Sequence, residues 1–183
     1  MSFPALLDTN VLFSATLSDT LLRCAEEELF HPLWSRDILQ ELQRVLIREA
    51  RLPTDKAQRR ISRMQAAFPT AQVDGYENMI QAMSCDAKDR HVLAAAVKAG
   101  AQVIVTFNLR DFPPSSVAAF GLDVVTPDSF LQDQLDLYPD RVHRAVGKQL
   151  ETYQHPRLTR DELLNRLERA GVSVFTQALR GER

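Results

Sequence analysis

Four acidic side chains, Asp8, Glu41, Asp89 and Asp111, stand far apart in the chain, each at the end or edge of a candidate secondary-structure element. A fifth, Asp86, precedes Asp89 by one helical turn. Hard dications such as Mg2+ or Mn2+ take oxygen ligands and keep much of their water. Carboxylates converging from separate elements suit such an ion, which lowers the pKa of water and neutralises a phosphodiester under attack. Other chemistry finds less support. No Ser-His-Asp or Cys-His arrangement competes. The four histidines (His31, His91, His143, His155) lie on different elements without zinc-type spacing, and read as structural or surface residues.

The elements that must position these acids follow from periodicity. The apolar run Phe3 to Leu7 predicts a strand ending at Asp8-Thr9-Asn10, with VLFSATLSD after it as a helix. A short strand is expected at His31 to Trp34. Ser35 or Asp37 then caps a helix reaching about Glu49, its apolar positions Ile38, Leu39, Leu42, Val45 and Leu46 at helical spacing. A polar helix runs from Thr54 to about Ala67, with a strand at Ala71 to Val73 and a short helix at Tyr76 to Met83 after it. DAKDRHVLAAAVKAG reads as a helix that Gly100 ends. Gln102 to Thr106 is a buried strand, and Asp123 to Val125 another, before a helix opened by Pro127. Strands alternating with helices argue for an α/β fold with a parallel sheet covered on both faces. From about Pro139 the pattern is purely helical: one helix over Asp140 to Tyr153, and a second from a Thr159/Glu162 capping box to Gly171. The expected division is therefore 1–137 and 138–183.

Bulk composition excludes little. Apolar residues at 45% and charged residues at 25% describe an ordinary globular chain, and a net charge of −2 leaves attraction to a polyanion to local basic patches. Two such patches are candidates for phosphate contact, Arg59, Arg60 and Arg63 on the polar helix, and Arg141, Arg144 and Lys148 at i, i+3, i+7 on the first helix of the extension. A solvated face is the blander account of both. Two cysteines without metal spacing, no signal-peptide plan at the N-terminus and no membrane-length apolar run point to a reduced, cytoplasmic setting.

Each acid also has an ordinary explanation. Asp8 and Asp111 suit turns and caps. Glu41 falls about 40° outside the apolar arc of its helix, at the margin of the buried face, where a solvated glutamate would also sit. Asp86 suits an N-cap and Asp89 the first turn, but Asp89 shares a face with Val92, Leu93 and Ala96, so it projects inward. The combination carries more weight than any member. LLDTNVL at 6–12, the glutamate of LQELQRVL at 39–46, DAKDRHVLAAA at 86–96 and VIVTFNLRDFP at 103–113 together resemble the PIN-domain nucleases, over roughly the first 130 residues.

That resemblance implies a three-layer α/β/α sandwich with a central parallel sheet, an acidic pocket binding Mg2+ or Mn2+, and cleavage of RNA. It implies Asp8, Glu41, Asp89 and Asp111 as the catalytic and metal-binding quartet, with Asp86 as an auxiliary ligand. Asn10 and Thr106 stand as supporting polar residues. Asn108 occupies a position where many relatives carry Asp, which puts a second ion in doubt. Within the family, a chain of this kind resembles the VapC-type toxins, which pair with a small antitoxin protein and dimerise. Three rivals remain: a housekeeping RNA-processing nuclease, a non-catalytic PIN scaffold, and a haloacid-dehalogenase-like phosphatase. The last lacks its second aspartate at Asn10 and leaves Glu41 without a task.

Overall fold

The computed structural model describes residues 2–154 and 156–181; His155, among the histidines read as structural, lies outside them. Five strands form one sheet: β1 (Phe3–Leu7), β2 (Phe30–Ser35), β3 (Gln72–Val73), β4 (Val103–Val105) and β5 (Asp123–Val125). Their order is β3-β2-β1-β4-β5 and every pairing is parallel. Consecutive strand residues point to opposite faces. Ala5, Leu6 and Leu7 of β1 and Val103, Ile104 and Val105 of β4 are nevertheless all buried, so helices cover both faces of the sheet. The α/β sandwich expected from the sequence is the fold observed.

The helices are α1 (Thr9–Phe13), α2 (Ala15–Glu26), α3 (Arg36–Arg48), α4 (Thr54–Ala67), α5 (Arg90–Lys98), α6 (Pro114–Val117), α7 (Pro127–Leu137), α8 (Pro139–Thr152), α9 (Arg160–Arg169) and α10 (Ser173–Gly181). Three differences from expectation bear on the site and the extension. The single helix expected after Asn10 is two, because Ser14 leaves the helical region (φ −65°, ψ 121°) and its hydroxyl accepts from Leu17 N at 3.3 Å, capping α2. The DAKD segment is a 3-10 turn over Ala87–Asp89 that hands over to α5 at Arg90. The third, α10, was not expected. Its cap comes from a distance, since Asp128 on α7 accepts from Val174 N at 3.1 Å and Phe175 N at 2.8 Å.

The extension is bolted to the sandwich through buried polar contacts. Thr20 Oγ1 on α2 donates to Gln149 Oε1 on α8 at 2.7 Å, and Gln149 Nε2 donates to Thr16 O at 3.0 Å; Thr20 and Gln149 are fully buried. Leu163, Leu164, Leu167, Phe175 and Leu179 join the same apolar cluster as the sheet strands, so both parts share one core.

The chain runs from β1 outward to β2 and β3 on one side, then returns to build β4 and β5 on the other. The switch point therefore falls between β1 and β4. In open parallel sheets the crevice beyond the strand carboxyl ends at such a point is where ligands bind. Asp8 follows β1 and Thr106 follows β4, which puts both at that crevice.

Candidate active site

Asp8 is the N-cap of α1 and only 4% exposed. Its Oδ1 accepts from Thr9 N at 2.7 Å, and its Oδ2 accepts from Asn10 Nδ2 and Thr106 Oγ1, both at 2.8 Å. Burial pushes the Asp8 carboxyl above its ordinary pKa, against the pull of the Thr106 and Thr9 hydrogen bonds. Asn10 Nδ2 also donates to Thr106 Oγ1 at 2.9 Å, while Phe107 N donates to Asn10 Oδ1 at 3.0 Å and Asn108 N to Thr106 Oγ1 at 3.1 Å. Two polar side chains, Asn10 and Thr106, thus lock the loops after β1 and β4 to one carboxylate. Asn10 and Thr106 bond Asp8 through their side chains, while Asn108 contributes its backbone N–H to Thr106.

Glu41 reaches the crevice from α3. Thr9 Oγ1 donates to Glu41 Oε2 at 3.1 Å, and His91 Nε2 on α5 lies 3.9 Å from the same oxygen. Asp89 arrives at the 3-10 to α junction without spending its carboxylate on capping. Its Oδ2 is buried and has no hydrogen-bond partner. Burial, followed by the negative charge of Asp8, pushes the Asp89 pKa up to about 7. Asp8, Glu41 and Asp89 line one pocket of about 260 Å³ with Asn10, Lys88 and Asn108.

Asp111 connects to this pocket through a cation. Lys88 Nζ is 3.0 Å from Asp111 Oδ2 and 3.8 Å from Asp89 Oδ2, and its hydrogen bond holds the Asp111 pKa below the usual carboxylate value. Asp86 sits at the exposed rim. Its Oδ1 caps the 3-10 turn by accepting from Lys88 N at 3.1 Å, and its backbone N–H donates to Asp111 O. Among the described residues, no three Asp, Glu, His or Cys side chains form a ready-made metal cage.

Two site members escaped the sequence reading. Lys88, between two aspartates in D-A-K-D, reads as a surface lysine in the sequence but lines the acidic pocket. His91, read as structural or surface, lies 3.9 Å from Glu41 Oε2; its position one helical turn after Lys88 in the acidic motif was the available signal.

The basic patches also need correction. Arg60, expected as an RNA contact, donates to Leu12 O and to Phe13 O at 3.0 Å, satisfying the carbonyls that end α1. Arg59 and Arg63 lie with it on a separate groove of about 670 Å³ lined also by Leu22, Met64 and Phe68, away from the acids. Arg141, Arg144 and Lys148, expected on a phosphate, close on one residue of the chain itself. Arg141 Nη1 donates to Glu27 O at 3.1 Å, while Arg144 Nε and Lys148 Nζ lie 3.0 Å and 2.7 Å from the Glu27 carboxylate. Lys148 foremost holds the Glu27 pKa below its ordinary value. This stripe fastens α8 to the end of α2.

A switch-point pocket with carboxylates from three elements, on a five-stranded parallel sheet, defines the class of fold and site. Residues 4–110, more than half of the chain, match the PIN domain, and the chain belongs to that family. Residues 127–181 match the VapC50 C-terminal domain. Over 98 residues the chain is 43% identical to the protein named "Putative ribonuclease VapC50" from Mycobacterium tuberculosis (strain ATCC 25618 / H37Rv). That stretch covers 54% of this chain and 58% of the relative, so the chain spans little more than half of that protein's length. No solved structure matches it. The C-terminal match begins at the first residue of α7, ahead of the boundary at 138 expected from the sequence. Dividing the chain there keeps α7 with α10, the helix it caps. No helix among the described residues is long and apolar enough to cross a membrane.

Proposed function

We propose that this chain is a metal-dependent endoribonuclease, the toxin of a toxin–antitoxin pair, acting in the cytoplasm as a homodimer and held silent by a small antitoxin protein. The observation that carries the nuclease reading is Asp89. Its Oδ2 is buried beside the buried Asp8 carboxylate and accepts no hydrogen bond, with Lys88 Nζ 3.8 Å away, an arrangement that costs stability unless further cationic charge balances it. Lys88 supplies part of that charge, and Mg2+ or Mn2+ would supply the rest. Mg2+ keeps several waters and is commonly held by one or two carboxylates plus substrate phosphate, so a closed cage is not required. Asp8 and Asp89 would hold the ion, with Glu41, Asp111 and Asp86 contributing from the walls and rim. When bound, the ion activates water and neutralises the phosphate.

The remaining roles belong to the chain. Thr106 and Asn10 hold Asp8 in one orientation. Glu41, more exposed than Asp8 and Asp89, orients the attacking water, with His91 beside it to share the proton. Lys88 steadies Asp111 and faces the phosphate. The toxin role rests on the C-terminal match and on the name of the relative.

The deciding experiment is cleavage of a mixed RNA pool by purified chain free of any partner. Cutting is expected with Mn2+, loss on EDTA, and recovery on adding Mn2+ back; cutting that persists in EDTA would sink the metal-site assignment. Growth arrest on expression, relieved by a co-expressed small partner, tests the toxin role. Thr106→Val is expected to lower kcat about 10–100-fold with the fold retained, because Asp8 Oδ2 loses its hydroxyl donor. Wild-type kcat in that variant would remove Thr106 from the positioning role.

A further inference from the structure

A second cleft, about 520 Å³, adjoins the acidic pocket and is walled on its far side by the extension. Asn10 and Phe13 line both, so the two are neighbours across α1. Phe107 supplies an aromatic wall, 39% exposed. Arg166 and Arg169 of α9 supply the cations. Both are exposed, and among the described residues neither is within ion-pair range of an acid. Glu162, one turn before Arg166, offsets it only in part, since its carboxylate is taken by the Thr159 capping box.

Phe107 is held in place from two sides. Its backbone N–H donates to Asn10 Oδ1, and Asn10 in turn bonds Asp8. From the other side Gly171 (φ +99°) packs against the ring so closely that a Cβ there would meet Phe107 Cε1 at 2.9 Å. The extension therefore positions an aromatic face at a fixed distance from the candidate catalytic carboxylate. Arg166 lies over the Tyr153 ring at 5.8 Å and Arg169 Nε donates to Asn165 O at 3.2 Å, which leaves both without a carboxylate partner among the described residues. An exposed ring beside two such guanidinium groups is the chemistry that takes an unstacked base and its phosphate. The volume falls in the roughly 300–1,000 Å³ range of nucleotide-sized sites.

We infer that Phe107 with Arg166 and Arg169 forms a subsite for a single-stranded nucleotide neighbouring the scissile phosphate, so that the C-terminal extension selects substrate for the PIN domain. This rests on the nuclease reading above. Of the basic residues expected to meet RNA from the sequence, Arg60, Arg141, Arg144 and Lys148 are engaged by other groups of the chain, and Arg166 and Arg169 take that role.

The test is fluorescence anisotropy with a labelled 12-nucleotide single-stranded RNA and the matching duplex. The Asp89→Asn chain is used in Mg2+, so that nothing is cut. Adding Arg166→Ala with Arg169→Ala is expected to weaken single-strand binding about tenfold and to reduce the salt slope by about 1.4, or about 0.7 per lost phosphate contact. Adding Phe107→Ala instead is expected to weaken binding about tenfold while leaving the slope unchanged. In the otherwise wild-type chain, the arginine pair should raise KM for RNA and spare kcat. Unchanged affinity and slope in both variants, or tighter binding of the duplex, overturns the subsite and leaves the nuclease reading intact if the wild type still cuts. No RNA binding and no cleavage by any form overturns both.

Discussion

Asp89→Asn is expected to abolish RNA cleavage while making the metal-free protein more stable above neutral pH. The variant keeps the shape of the side chain and removes the charge that the buried pocket tolerates least. Activity should fall by more than the roughly 10–100-fold that loss of an outer-shell partner costs, because Asp89 stands among the candidate ligands. The stability effect has a definite sign. Asp89 has a folded-state pKa raised to about 7 from an ordinary 3.8. The folded protein therefore holds this proton more tightly than the unfolded chain. The stability it contributes is fully present below pH 4 and is lost as pH rises through about 7. Asp8 shifts in the same direction through burial, whereas Asp111, lowered by Lys88, opposes it. Melting curves in EDTA at pH 5 and pH 8 should show wild type losing more stability than Asp89→Asn over that interval. Mn2+ at pH 8 should raise the wild-type Tm and leave the variant nearly unmoved. Full cleavage by the variant, or equal pH sensitivity of the two proteins, would remove Asp89 from the site.

Phe175→Ala is expected to be the most damaging change outside the pocket. Phe175 is fully buried on α10 and belongs to the same apolar cluster as the sheet strands. Truncating a buried phenylalanine costs about 3–5 kcal/mol in transfer and cavity terms. At roughly 2–4 °C per kcal/mol for a chain of this size, the Tm should fall by at least about 6 °C. Because the extension and the sandwich share a core, the variant should still melt in one transition. Two separated transitions would show that α7 to α10 fold as an independent unit.

Much of this architecture was legible in the sequence, because it is written in local patterns. The helix over Thr54–Ala67, the Ser35 cap, the Thr159/Glu162 capping box and all five strands follow from neighbours in the chain. What escaped depends on contacts between distant residues. Helix α10 takes its cap from Asp128, more than forty residues earlier, so no local cap marked its start. Arg141, Arg144 and Lys148 have the spacing of a phosphate-binding stripe, and only the docking of α8 on α2 reveals Glu27 as their partner. The acids Asp8, Glu41 and Asp89 stand out in the sequence as a combination resembling the PIN-domain pattern, and the fold lines one pocket with all three. Lys88 was missed because a lysine between two aspartates reads as surface until the fold turns it toward Asp111.

The lock of Thr106 on Asp8 joins residues 98 positions apart. During synthesis, Asp8 and its strand leave the ribosome well before β4 exists. At roughly 5–20 residues per second the interval is about 5–20 s. Parallel pairing across so long a separation is also slow to form once both strands are available. A growing chain therefore carries its aspartate unarmed. On the nuclease reading proposed above, biosynthesis delays activity until the central sheet closes, and a fragment that stops before β4 retains the acidic motif of residues 6–12 with nothing to aim it.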